Sequence, residues 1–248
     1  MSAPARVALV TGAGRNIGRA IALALAGDGL AVVVNARANR DEAESVVQEI
    51  VAAGGDALAC LADVTDRAAV DAMMEAVRAR YGRLDILVNN AALRQESAFG
   101  DTDYAAWRAA LAVCLDGAFH CTQAALPLLR QSGQASVINI GGMTAHTAAS
   151  HRVHVVTAKA GLVGMTRALA TELSPQGITV NCVAPGLIAT QREASVGAPK
   201  HHSVHQTLVG RRGLPQEVAE AVRWLAGPGT RYVTGQVLHL NGGAYFGG

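Results

Sequence analysis

Two stretches of the 248-residue chain combine residue types and spacings that suit chemistry. The first is Thr11-Gly12-Ala13-Gly14-Arg15-Asn16-Ile17-Gly18, a glycine loop that opens an Ala/Leu-rich run of helical period. A helix starting at such a turn aims its unbonded N–H groups and positive dipole end at whatever lies over the loop, which suits a pyrophosphate. Gly12, Arg15, Asn16, Ile17 and Gly18 are therefore candidate nucleotide ligands. The second stretch, 143–154, holds Thr144, His146, His151 and His154, three histidines within nine positions. Imidazole titrates near neutral pH and serves as acid or base. On a helix already formed at 151, His151 would lie one turn before Val155, on the face that carries Lys159. His146 and His151 are the candidate proton donors, and His154 is expected to point away. A third histidine cluster, Lys200-His201-His202-Ser203-Val204-His205, has no carboxylate or cysteine at metal-ligand spacing, so it reads as a solvated lid and no metal is expected.

The elements that must position these groups follow from periodicity. Short apolar runs near 6–11, 31–35, 57–61, 85–88, 136–140, 178–183 and 236–240 alternate with helical patterns near 16–27, 40–53, 66–80, 102–130, 152–173 and 216–226. Strands apolar on both faces, each followed by a helix, specify a parallel sheet covered on both sides. The expectation is one α/β domain over residues 1–248, a doubly wound Rossmann-type fold with seven parallel strands. In such sheets ligands bind beyond the carboxyl ends of the strands. After the second strand stand Asn35 and Arg37, where an acid would hold the ribose hydroxyls of NAD. That acid is missing. Arg37 with Arg15 could instead bracket the 2′-phosphate of NADP, so NADP is expected over NAD.

Half of the residues are hydrophobic and 16% are charged, which is ample for a buried core. The net charge of +2 with scattered basic residues gives no support to a nucleic-acid or membrane-surface partner. No early apolar run is long enough for a signal peptide or a membrane span, so a cytoplasmic protein is expected. Cys60, Cys114, Cys121 and Cys182 show no C-x-x-C pair and read as reduced thiols, with Cys60 and Cys182 as small hydrophobes in strands.

Taken together, the motifs resemble those of the short-chain dehydrogenase/reductase family, over essentially the whole chain and in order. The glycine loop is similar to that family's T-G-x-x-x-G-x-G, with Asn16 at the middle glycine. Asp63-Val64-Thr65 resembles the step whose Asp holds the adenine ring, and Asn89-Asn90-Ala91-Ala92 the step that supports the central strand and lines the cofactor floor. Pro185, Gly186, Ile188 and Thr190 match the segment that wraps the nicotinamide, and Thr234–Gly243 the final strand. The resemblance also implies a loop over substrate at about 187–212 and an oligomer-forming surface carrying Trp224, Tyr245 and Phe246, hence a homodimer or homotetramer acting on a small molecule.

One part of the pattern departs. Family members of the ordinary kind use a Tyr as proton donor, a Lys four residues later that also holds the nicotinamide ribose, a Ser that orients the carbonyl and an Asn that anchors a water. Here Lys159 is kept, but the matching positions carry Val155, Gly142 and Cys114. Valine cannot transfer a proton, glycine has no hydroxyl and a thiol is a weak donor. Three readings stand: an NADP(H)-dependent oxidoreductase with a displaced proton donor, a silent cofactor-binding subunit mixed with an active relative, or a lyase or hydrolase on the same scaffold.

Overall fold

A computed structural model describes residues 6–191 and 206–247. Seven strands form one sheet: β1 (Val7–Val10), β2 (Ala31–Ala36), β3 (Ala57–Leu61), β4 (Ile86–Asn89), β5 (Ala135–Ile140), β6 (Ile178–Pro185) and β7 (Val237–Leu240). Their order is β3-β2-β1-β4-β5-β6-β7, and every neighbouring pair is parallel. The helices are α1 (Asn16–Gly27), α2 (Arg40–Ala52), α3 (Arg67–Tyr81), α4 (Tyr104–Leu111), α5 (Gly117–Ser132), α6 (Thr144–Thr147), α7 (Val153–Leu173) and α8 (Pro215–Ala226).

Side chains alternate across a strand, so each strand feeds two cores. Ala8, Val10, Val32 and Val34 join α1, α2 and α8 on one face, while Val7, Leu9, Ala31 and Val33 join α3, α5 and the end of α7 on the other. Burial on both faces explains why these strands read as unbroken apolar runs. The segment Tyr104–Ser132 is long and apolar enough by composition to cross a membrane, yet Cys121, Ala125, Leu128 and Leu129 of α5 are buried in that second core. Cys60 and Cys182 lie in strands, and all four cysteines are free thiols.

Two expectations need correction. The stretch 102–130 is not one helix: a π-helical turn, Ala112–Asp116, separates α4 from α5 and places Cys114 inward. Such turns often occur at functional sites. Helix α7 begins at Val153, close to the expected 152, so the condition under which His151 would share its face is not met. His151 adopts φ 60, outside helical geometry, so it is not carried on the face of Val155 and Lys159.

Strand order reverses beside β1, which has β2 on one side and β4 on the other, and a crevice opens there at the strand ends. A buried polar ladder ties this crest together. Asn89 Nδ2 donates to Asn139 Oδ1 at 2.8 Å, and Asn139 Nδ2 donates to Thr166 Oγ1 of α7 at 2.8 Å. The ladder ties α7 to β4 and β5, although Asn89 Oδ1 is buried without a hydrogen-bond partner.

Candidate functional site

At the crest, the helices differ in how their first turns are satisfied. Asn39 caps α2 by accepting from the Glu42 N–H, and Asp66 caps α3 by accepting from the Ala68 and Ala69 N–H groups. Helix α1 has no such side chain and no acid in its first turn. Its leading N–H groups therefore face the crevice as an anion site.

The loop before α1 is built for close approach. Gly12 has φ 61 and Asn16 φ 52, the left-handed region that glycine and asparagine enter most readily. A Cβ on Gly18 would run into the Gly12 carbonyl oxygen and lie 2.6 Å from Asn90 Nδ2. Asn35 braces the loop from β2: its Oδ1 accepts from the Gly12 N–H at 3.2 Å, and its Nδ2 donates to the carbonyls of Cys60 and Ala62. Asn90 braces it from β4, donating to the carbonyls of Thr11 and Gly12, both at 2.9 Å. Asn16 and Gln191 exchange reciprocal amide hydrogen bonds of 3.1 and 2.8 Å, joining the loop to the segment after β6.

The result is a cleft of about 670 Å³ along the crest, lined by Gly12, Arg15, Asn16, Ile17, Gly18, Asn35, Arg37, Asp63, Val64, Ala91 and Thr190. Its dimensions, its glycine floor and its uncapped helix end fit an elongated dinucleotide. Arg15 lies 3.9 Å from Glu42, so one of the two arginines at the phosphate end has an acidic neighbour on α2. Asn89 does not line the cleft; it is buried in the polar ladder, and the adjacent Asn90 reaches the cleft wall instead.

A narrower chamber of about 100 Å³ adjoins the cleft and shares Ile17, Asn90, Arg94 and Thr190 with it. Lys159, Val155, Gly142, Pro185, Gly186 and Ile188 line it. Lys159 is buried, and its Nζ donates to the Ile140 carbonyl at 2.6 Å. Burial pushes its pKa below the ordinary lysine value; the neighbouring Arg94 and Arg152 push the same way, and thiols of Cys114 and Cys182 oppose them. Cys114 lies buried behind the wall, its Sγ 3.9 Å from the Leu93 carbonyl.

The chamber does not receive the expected histidines. His146 sits on α6, where its ring packs against His239 at 4.6 Å and Tyr245 at 5.7 Å. His151 is exposed in the turn before α7, and its carbonyl accepts from the Ser97 N–H. Neither lines the chamber, and His154 is fully buried outside it. The cluster 200–205 lies outside the described residues, as does most of the expected loop 187–212. Two residues that sequence reasoning passed over do line the chamber, Arg94 and Arg152. Arg94 lies just beyond β4, at the strand end where this fold places ligands, which was the available signal.

A doubly wound parallel sheet with an uncapped glycine-loop helix at its switch point defines a nucleotide-binding α/β protein. Comparisons with known proteins narrow that class. Residues 12–245 match the family model described as enoyl-(acyl carrier protein) reductase. The 3-oxoacyl-(acyl-carrier-protein) reductase FabG of Staphylococcus aureus is 38% identical over 239 residues, covering 96% of this chain and 97% of that protein. The corresponding Escherichia coli reductase is 34% identical over 246 residues, 99% of each chain. A crystal structure of a dehydrogenase/reductase from Sinorhizobium meliloti superposes with a TM-score of 0.92 at 35% identity, covering 99% of this chain and 97% of that one. The chain belongs to the short-chain dehydrogenase/reductase family.

Proposed function

We propose that the protein is an NADP(H)-dependent oxidoreductase that interconverts a carbonyl and an alcohol, with Lys159 as the proton-exchanging group. The observation that carries this reading is the juncture of the two spaces: a dinucleotide-sized cleft opens beside a small chamber that contains a buried amine. The reductases named above support a carbonyl substrate. Arg37 and Arg15 at the cleft's far end, with no acid at the end of β2, favour a 2′-phosphate on the cofactor.

A bound nicotinamide would supply or accept the hydride at the substrate carbon. The residues of the chain do the rest. Pro185, Gly186, Ile188 and Thr190 wall the chamber and limit water. Lys159 gives a proton from its ammonium to the carbonyl oxygen as the C–H bond forms, and takes one up again from solvent. Among the described residues lining the chamber, arginine cannot release its proton, and Lys159 is the remaining side chain that titrates, with a pKa already shifted toward neutrality. Val155 takes no part in proton transfer and leaves room beside the amine. Trp224, half exposed on α8, and the exposed Phe246 favour assembly as a homodimer or homotetramer.

The test is NADPH oxidation by the purified chain across a panel of ketones, with Lys159→Ala in parallel. Turnover that collapses in the variant supports the reading. Turnover that survives unchanged removes Lys159 from the proton step, and no turnover with any carbonyl removes the redox reading.

A further inference from the structure

The cleft and the chamber meet at a contact that a glycine at position 16 could not make. Ile17 and Thr190 line both spaces, and their chain neighbours Asn16 and Gln191 are joined to each other. The Asn16 side chain takes both main-chain groups of Gln191. Its Nδ2 donates to the Gln191 carbonyl at 3.1 Å, and its Oδ1 accepts from the Gln191 N–H at 2.8 Å. A carboxamide carries donor and acceptor together; glycine has neither on a side chain, and an ionised aspartate supplies the acceptor alone. Asn16 adds this arm while keeping the left-handed backbone of the loop, at φ 52.

The segment that Asn16 holds is fastened at its other end as well. The Gly186 N–H donates to the Leu240 carbonyl at 2.8 Å, the Gly213 N–H to the Leu187 carbonyl at 2.9 Å, and the Ala189 N–H to the Gly213 carbonyl at 2.8 Å. Only Thr190 separates the last of these anchors from Gln191. Residues 186–191 therefore form an arch from the end of β6 to the glycine loop, with one foot on β7 and Gly213 and the other on Asn16. The two feet differ. Leu187 and Ile188 are buried at the first, whereas Gln191 and its bonds to Asn16 are exposed. A hydrogen bond open to water has a small net worth, so the Asn16 foot releases while the other stays in place.

We propose, on the basis of the dinucleotide-binding reading above, that Asn16 is a positioning residue that gates cofactor exchange. Its clasp on Gln191 opens as a dinucleotide enters or leaves and closes again afterwards. A clasp closed in both the empty and the filled protein slows entry and exit together, and it leaves the equilibrium affinity nearly unchanged.

The test is Asn16→Gly, which the left-handed backbone accepts and which removes the arm alone. Stopped-flow fluorescence with NADPH gives the association and dissociation rate constants of the parent and the variant. Both should rise by roughly threefold or more, the scale set by one or two such bonds, while Kd changes by less than about twofold. Amide hydrogen exchange over residues 187–191 without nucleotide is a second readout, and it should quicken in the variant. Unchanged rate constants would overturn the gate. So would a weaker Kd from faster dissociation alone, the signature of a lost ligand contact. Unchanged exchange over 187–191 would overturn the clasp itself, with or without nucleotide. A parent chain that binds neither NADPH nor NADH removes the dinucleotide reading and the gate with it, an outcome distinct from binding at unchanged rates.

Discussion

The dinucleotide cleft and the reaction chamber sit side by side on the same strand ends, yet they are made differently. The cleft is main-chain architecture. Its floor is glycine backbone, its anion site is an uncapped helix end, and Asn35 and Asn90 brace it through hydrogen bonds to carbonyls and N–H groups. Its hold on a diphosphate therefore depends little on side chains, and only the far end, with Arg15 and Arg37, is side-chain based. The chamber is a side-chain site, defined by Lys159, Arg94, Arg152 and the absence of a phenol at Val155. A fold can keep the first while the second changes, which is how one scaffold supports different chemistry.

The sharpest way to break this contrast is to add a side chain to the floor. Gly18→Val places a Cβ against the Gly12 carbonyl and Asn90, so cofactor affinity should fall on the order of 100-fold, about 2.7 kcal/mol, in a fluorescence titration. Next comes the chamber: Lys159→Ala should lower kcat by roughly 10²–10⁴-fold, the usual worth of positioned proton transfer. A smaller effect is expected at the far end of the cleft, where Arg37→Ala should weaken NADPH by about tenfold and leave NADH unchanged, since only the former carries a phosphate there. If both cofactors weaken equally, Arg37 does not distinguish them.

The smallest effect is on stability. Burial holds the Lys159 pKa below 10.5, so between its folded value and 10.5 the unfolded chain keeps a proton that the folded chain has lost. Stability should therefore gain with rising pH across that window. Lys159→Met should flatten this part of a denaturation-versus-pH curve, and an unchanged slope would mean that the amine is solvated.

The same division decides what was legible in the sequence. Strands buried on both faces and a glycine loop with obligatory backbone geometry leave local signals, so the seven-stranded sheet and the cleft lining from Gly12 to Thr190 were readable. Asn16, which stands at the middle glycine of the family's loop, takes a positive φ, as that position's glycine would allow. The chamber was legible in part: Gly142, Val155, Lys159 and the Pro185–Ile188 stretch stood out in the sequence, whereas Arg94 and Arg152 did not, because they converge from distant segments and their directions depend on the loop after β4 and on where α7 starts. A start at Val153 rather than 151 removes His151 from the helix face and brings Arg152 to its N-cap. His146 was unreadable because its neighbours, His239 and Tyr245, come from the end of the chain. Asn89 and Asn90, adjacent at the end of β4, diverge into ladder and cleft wall by strand alternation alone.

Everything proposed for the chamber depends on a dinucleotide lying in the cleft. Isothermal titration of the purified chain with NADPH and, separately, NADH tests this most directly. One saturable site per chain, with NADPH at least tenfold tighter, is the expected result; no binding of either nucleotide would contradict it.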